Sequence, residues 1–172
     1  MQKTRRILIL SLLALLAVVP VAFSQGGNVY EVTLTNLTAN QIISPPILVS
    51  HSFRTRLFTP GRPASPELAA VAEDADASGL LAALASNPEV LDFAQADGVL
   101  MPGQSVTLVV RVAGRFRRLS AVGMLVTTND AFFGLSNFRL DPQSDNFNLE
   151  VPAYDAGTEA NTESCDDIPG PP

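Results

Sequence analysis

The sequence is 172 residues long, 47% of its residues are hydrophobic, and its formal net charge is −6 at pH 7. This acidic balance disfavours nucleic acid as a partner, because binding to phosphates requires clustered positive charge. One histidine and one cysteine are too few to form a zinc site with three or four such ligands, and a single cysteine excludes an intrachain disulfide.

The first 24 residues have the pattern of a cleavable signal peptide. Basic residues at positions 3, 5 and 6 precede an uncharged apolar run from Ile7 to Val19, and Ala22-Phe23-Ser24 has the small-residue pattern of a cleavage site. The apolar run is shorter than the about 20 residues of a transmembrane helix. We therefore expect residues 25–172 to form one secreted domain, either periplasmic or extracellular, with eight arginines and seventeen acidic residues, a net charge of −9.

The first elements of this domain are predicted to be strands. Apolar and polar residues alternate from Asn28 to Asn36, which is typical of a half-buried strand. The segment from Ile42 to Ser50 is also apolar but contains Pro45-Pro46. Proline has no N–H to donate to a β-ladder, so we expect this segment to be an edge strand. Prolines and glycine between Phe53 and Pro66 indicate a loop.

A helical insertion is predicted from about residue 65 to 96. Serine caps or first-turn prolines mark three short helices: one beginning at Pro66 with Ser65 as cap, one over Leu80–Ala85 with Ser78 as cap, and one from Asn87-Pro88 to about Ala96. Helices this short are not stable alone. We therefore expect them to pack against a sheet.

Strand patterns return after the insertion. Predicted strands run over Ser105–Val112, where valine and leucine alternate with polar residues, over Leu119–Thr127, which is mostly apolar, and over Asn146–Val151. From Ala153 to Pro172 the chain is polar. Strands separated by turns, with one helical insertion, predict an all-β fold, an antiparallel β-sandwich.

No catalytic motif is recognisable. His51 has no partner nominated by a motif, so we interpret it as a strand-end residue that is hydrogen-bonded near a loop. The glycine motifs of phosphate-binding loops are absent. A secreted hydrolase with an unrecognised site stays an alternative.

Two loops carry candidate metal ligands. Asp130 follows a predicted strand, and Asp155 and Glu159 lie four residues apart with Gly157 between them. A tight turn at Gly157 could direct both carboxylates toward one point. Calcium takes about six to eight oxygen ligands, and Asp130 would supply a third carboxylate. Loop carboxylates of this kind can equally be solvated side chains.

Several segments of the sequence resemble the spondin N-terminal domain over roughly Val29 to Pro171. They occur in this order: Ser44-Pro45-Pro46, Arg56 to Gly61, Ala64 to Leu68, Ala72-Glu73-Asp74, Thr128 to Phe132, Tyr154 to Glu159 and Ile168 to Pro171. The resemblance implies a C2-like antiparallel sandwich with a calcium site at one end. Family domains usually continue past the last of these segments into another strand, whereas this sequence ends at Pro172.

The resemblance also assigns the ligands. The family's calcium carboxylates correspond to Asp130, Asp155 and Glu159, although animal members carry aspartate at the last position. It implies a non-catalytic, calcium-binding adhesion or recognition module with a protein or glycan ligand at the cell surface or matrix. A calcium-dependent C2-like binder of membrane surfaces is a second alternative, which the net charge of the domain disfavours. The identity of the ligand, the oligomeric state and the role of Cys165 stay open.

Overall fold

The structure is a computed structural model that describes residues 27–141, 146–160 and 168. The predicted signal peptide (residues 1–24) and Cys165 lie outside these residues. No helix within them is long and apolar enough to span a membrane.

The described residues form seven strands and two helices in two antiparallel sheets. A two-stranded sheet pairs β1 with β4, and a five-stranded sheet has the order β3-β2-β5-β6-β7. The prediction of an all-β sandwich with a short helical insertion is therefore confirmed. The elements are β1 (Asn28–Thr35), β2 (Ile47–His51), α1 (Pro66–Asp74), α2 (Ser78–Ser86), β3 (Val90–Gln95), β4 (Ser105–Val112), β5 (Arg118–Met124), β6 (Ala131–Arg139) and β7 (Ala153–Asp155).

The five-stranded sheet is covered on both faces. On one face, Leu48 of β2 and Ala121 of β5 share a buried cluster with Val32, Leu108 and Val110 of the two-stranded sheet. On the other face, the apolar side chains of both helices pack on the sheet, and this cluster includes Ile47, Val49, Val122, Leu68, Val71, Leu80 and Leu84. The insertion therefore supplies a third layer, as helices too short to be stable alone require.

The prediction that β2 is an edge strand is wrong. β2 lies between β3 and β5, and His51 is paired with Val90 on one side and Arg118 on the other. Pro45 and Pro46 come before the first residue of β2. They therefore do not interrupt the ladder, and the Pro46 carbonyl accepts a hydrogen bond from the Ala96 N–H at 2.9 Å.

The third predicted helix is also wrong, because residues 90–95 form strand β3. Ala94 lies opposite Leu48 and Asp92 lies opposite Ser50. Apolar residues in this short segment fit helical and strand spacing equally, and pairing with the buried strand β2 selects the strand. The sheet thus gains its edge strand from within the predicted helical insertion.

The helix caps agree with the prediction at one of two positions. The Ser65 hydroxyl accepts the Leu68 N–H at 3.4 Å, as expected. Ser78 does not cap α2 but is its first residue, and its N–H donates to the Asp76 carboxylate at 2.9 Å. Aspartate two residues earlier therefore performs the role assigned to serine.

The predictions for the second half succeed for β4 and β5 but not beyond. β4 has the predicted bounds and alternates exposed and buried side chains, whereas β5 ends at Met124 rather than Thr127. Residues 146–151 lie outside every strand, so the strand predicted there is wrong. The pairing at this edge of the sheet is made instead by β6 and the three-residue strand β7.

Candidate functional site

The pairing of β6 with β7 brings two of the predicted ligands together. Asp130 immediately precedes β6, and Asp155 is the last residue of β7. Ala131 lies opposite Asp155, and the Asp130 carbonyl accepts the Ala156 N–H at 3.1 Å. We call residues 127–130 and 155–160 the carboxylate loops.

The Asp130 side chain is buried and anchors the second of these loops. Only 2% of Asp130 is exposed. Its Oδ2 accepts the Thr158 N–H at 3.0 Å, the Thr158 hydroxyl at 3.3 Å and the Glu159 N–H at 3.2 Å. Hydrogen bonds from several donors offset the cost of burying a carboxylate. Asp130 therefore holds the chain of residues 158 and 159 against the start of β6.

A tight turn precedes these contacts, as the position of Gly157 predicted. The Asp155 Oδ1 accepts the Gly157 N–H at 2.7 Å. Gly157 has a φ of +70°, a left-handed conformation that glycine adopts without steric cost. The turn is held to the loop between β2 and α1 by the Ala64 N–H, which donates to the Ala156 carbonyl at 2.8 Å.

A cluster of three aromatic rings packs beside the turn. The Phe58 ring lies 5.1 Å from that of Phe132 and 4.9 Å from that of Tyr154, both edge to face, and the Phe132 and Tyr154 rings are stacked at 5.7 Å. Such pairs contribute about 0.5–1.5 kcal/mol each beyond their buried area. The cluster fixes the three-residue strand β7, which among the described strands pairs with β6 alone.

The donor set of the carboxylate loops suits a hard cation, but its side chains do not converge in the structure. Asp130, Asp155 and Glu159 lie in adjoining loops, and all offer the oxygen ligands that calcium takes. Within the part of the chain that the structure describes, no three carboxylate, imidazole or thiol groups are grouped closely enough to hold a metal ion. The structure therefore places the three predicted ligands at one end of the sandwich, and not around one point.

Thr158 is a contact residue that the sequence interpretation missed. It binds Asp130 through both its N–H and its hydroxyl. Its position between Gly157 and Glu159 marks it as part of the turn, but nothing in the sequence indicates which carboxylate it would bind. That contact depends on the pairing of β6 with β7.

His51 is a buried structural residue, as interpreted from the sequence. It is the last residue of β2 and is 0% exposed, as is Ser120 on β5. One ring nitrogen lies 2.7 Å from the Ser52 carbonyl and the other 2.8 Å from the Ser120 hydroxyl. The carbonyl accepts only, so Nδ1 carries the proton and Nε2 accepts from the Ser120 hydroxyl. The pair is sealed from solvent, so a substrate has no access to it.

The environment of His51 favours the neutral imidazole. Burial lowers its pKa below the ordinary value of 6.5, and the positive charges of Arg118 and Arg56 lower it further, while the hydrogen bond to the Ser52 carbonyl acts in the opposite direction. Burial disfavours the charged form because the protein interior solvates it poorly. The histidine therefore stays uncharged in the folded protein at neutral pH.

Comparison with known proteins identifies the family. The family model described as Spondin_N matches residues 37–168, which is most of the chain. The chain therefore belongs to the spondin N-terminal domain family. None of the curated proteins is significantly similar to it.

Proposed function

We propose that this member of the spondin N-terminal domain family is an exported, non-catalytic recognition module whose carboxylate loops bind calcium. The observation that carries the proposal is the attachment of the loop at residues 155–160 to the buried Asp130 carboxylate. This attachment keeps three acidic residues in two adjoining loops at one end of a rigid sandwich. Like charges brought together in this way repel each other unless a cation lies between them.

The two oxygens of the Asp130 carboxylate differ in their contacts, and this difference supports the same proposal. Its Oδ2 accepts all three hydrogen bonds from residues 158 and 159, so among the contacts of the described residues Oδ1 is the oxygen left for a cation. The Asp155 and Glu159 carboxylates would add further oxygens. Calcium, when bound, neutralises these charges and links the two loops. Glutamate in place of aspartate at position 159 reaches farther by one methylene.

Two further features favour a binding module over an enzyme. The family is not a known enzyme family, and the histidine of the chain is enclosed in the sheet. The predicted signal peptide, together with the extracellular occurrence typical of the family, supports export to a compartment where calcium is plentiful. Extracellular calcium modules typically bind at about 10⁻⁴–10⁻³ M.

A calcium titration followed by thermal unfolding tests the proposal. At a free calcium concentration about ten times Kd, binding to the folded state adds about 1.4 kcal/mol, or about 3–6 °C in melting temperature for a domain of this size. Asp155→Asn and Glu159→Gln should each abolish most of the shift. Glu31→Gln is the matched control, because it removes the same charge from an exposed residue of β1.

The controls define the outcomes. An equal shift with magnesium would indicate general charge screening rather than a calcium site. Equal melting temperatures in EDTA and in excess calcium would contradict the proposal, and the Asp130 contacts would then serve the fold alone.

A further inference from the structure

The end of the sandwich opposite the carboxylate loops collects most of the basic residues that follow residue 24. Of the eight arginines after residue 24, seven lie there. The sheet register explains why: His51 at the end of β2 is paired with Arg118 at the start of β5, which is paired with Arg139 at the end of β6. The other arginines lie in the loop after β2, at the end of β4 and in the hairpin between β4 and β5. We call the set the arginine end: Arg54, Arg56, Arg111, Arg115, Arg117, Arg118 and Arg139.

Two of these arginines are neutralised by carboxylates and hold the loops together. Arg111 forms a salt bridge with Asp92 at 3.2 Å, and Arg115 one with Glu89 at 3.4 Å. Glu89 also accepts a hydrogen bond from the Ser52 hydroxyl. Through Glu89 the hairpin between β4 and β5 is therefore joined to the loop after β2.

Most of the remaining positive charge is available to a ligand. The Arg118 guanidinium donates to the Asn137 carbonyl at 3.1 Å. Within the described residues, no carboxylate lies within salt-bridge distance of the other four guanidinium groups. All four side chains are exposed: Arg54, Arg56, Arg117 and Arg139.

The arginine end keeps its positive potential although the whole chain is acidic. Strands of seven to nine residues separate the two ends by roughly 20–30 Å. The Debye length is about 8 Å at physiological ionic strength. The negative charge of the carboxylate loops is therefore screened at the arginine end.

A cavity of about 150 Å³ opens at the same end, with Arg117 in its wall. Asn28 and Tyr30 at the start of β1 add an amide and a phenol, and Val112 and Leu140 add apolar surface. The guanidinium fork matches a carboxylate in two parallel hydrogen bonds, while the amide and the phenol hydrogen-bond to hydroxyl groups. This combination fits one sugar ring that bears a carboxylate.

We propose that the arginine end binds an acidic polysaccharide, with one uronate residue in the cavity at Arg117 and neighbouring carboxylates on Arg54, Arg56 and Arg139. The cavity at Arg117 takes one sugar ring, which a membrane surface does not offer. The exposed Phe53 beside Arg54 is the feature of this end that a membrane would contact, and the vesicle measurement below tests that alternative.

The described carboxylates at this end are Asp92, Glu89 and Asp141, which follows Leu140 of the cavity wall. The seven arginines outnumber them, so the end keeps a net positive charge for the polymer. The proposal does not depend on calcium.

Titration calorimetry with polygalacturonate, at low ionic strength and in EDTA, tests this proposal. Arg117→Gln should weaken binding by about tenfold or more, because it removes a charge-assisted pair of hydrogen bonds. The double variant Arg54→Gln/Arg56→Gln should weaken binding and reduce its salt dependence. Arg62→Gln is the matched control, since Arg62 adjoins Pro63, which lies beside Gly157 at the other end, and it should bind as the unaltered protein does.

Four other outcomes would overturn the proposal. Neutral dextran should not bind, and binding equal to that of polygalacturonate would show that the carboxylates are not recognised. Tighter binding to duplex DNA or to phosphatidylglycerol vesicles would assign the arginine end to a different ligand. An equal loss in Arg62→Gln and Arg117→Gln, or no binding of polygalacturonate at all, would remove the site. Because EDTA removes free calcium, the result does not depend on whether the carboxylate loops bind calcium.

Discussion

Asp130 and Thr158 are 28 residues apart in the sequence and doubly hydrogen-bonded: the Asp130 Oδ2 accepts the Thr158 N–H at 3.0 Å and its hydroxyl at 3.3 Å. The contact fastens the last described loop of the domain to the start of β6. The buried carboxylate thus determines the course of the chain after β7, whether or not a cation is bound beside it.

Replacing Asp130 should separate its structural role from its proposed ligand role. Asp130→Ala should lower the free energy of unfolding by about 2–4 kcal/mol, because the N–H groups of Thr158 and Glu159 lose a charged acceptor. Asp130→Asn should cost less, because an amide oxygen still accepts, yet it should abolish the calcium shift. Urea unfolding of the two variants, with and without calcium, measures the loss of stability and the effect of calcium. A loss below about 1 kcal/mol in Asp130→Ala would show that the loop is held by other contacts.

His51 should make stability depend on pH. The unfolded chain has an ordinary histidine pKa of 6.5, and the folded protein a lower one. Between these two values the unfolded state binds more protons, so stability is complete above about pH 6.5 and falls as the pH decreases toward the folded-state pKa. Melting temperatures at about pH 7.5 and about pH 5.5 should therefore differ more in the unaltered protein than in His51→Gln. An equal difference in both would show that other groups cause the pH dependence.

Gly134 should not tolerate a side chain. A Cβ at this position on β6 would lie 2.4 Å from the Phe58 ring, which belongs to the aromatic cluster beneath β7. Gly134→Ala should therefore cost about 1–3 kcal/mol through overpacking. Gly98→Ala is the control, because no atom lies within 4 Å of its Cβ position. Thermal unfolding of both variants checks this prediction, which equal melting temperatures would contradict.

Ala75 offers a stabilising substitution. It ends α1 with a φ of +58°, and its N–H and that of Asp76 donate to the carbonyls of Val71 and Ala70. This left-handed conformation costs a residue with a Cβ about 1–2 kcal/mol. Ala75→Gly should therefore raise the free energy of unfolding by up to about 1 kcal/mol, since the added flexibility of the unfolded chain offsets part of the gain. A decrease on chemical denaturation would contradict the prediction.

The strands with regular alternation could be predicted from the sequence, and those without it could not. β4 alternates buried and exposed side chains and has the predicted bounds. β6 does not alternate cleanly, because Asn137 has a φ of +57° and the register with β5 shifts between Leu119 and Ala121. A bulge of this kind breaks the period of two on which strand prediction relies.

The candidate site was predictable only where its residues are close in sequence. The spacing of Asp155, Gly157 and Glu159 indicated a turn, and the structure has that turn. The position of Asp130 beside them depends on the pairing of Ala131 with Asp155, which joins β6, a strand without clean alternation, to the three-residue strand β7. Asp130 is nominated as a third carboxylate by its place after a predicted strand, and the resemblance to the family assigns it as a ligand.

The pairing of β1 with β4 has a consequence for how the chain folds. Thr33 of β1 lies opposite Thr107 of β4, 74 residues later, so the two-stranded sheet cannot form until most of the domain has left the ribosome. Closing such a loop costs entropy before any contact compensates for it. Until then β1 has no partner strand, and the five-stranded sheet is also incomplete, because β5, β6 and β7 follow β4 in the chain. Apolar strands that stay unpaired until the chain is nearly complete make an unfinished domain of this kind prone to aggregation.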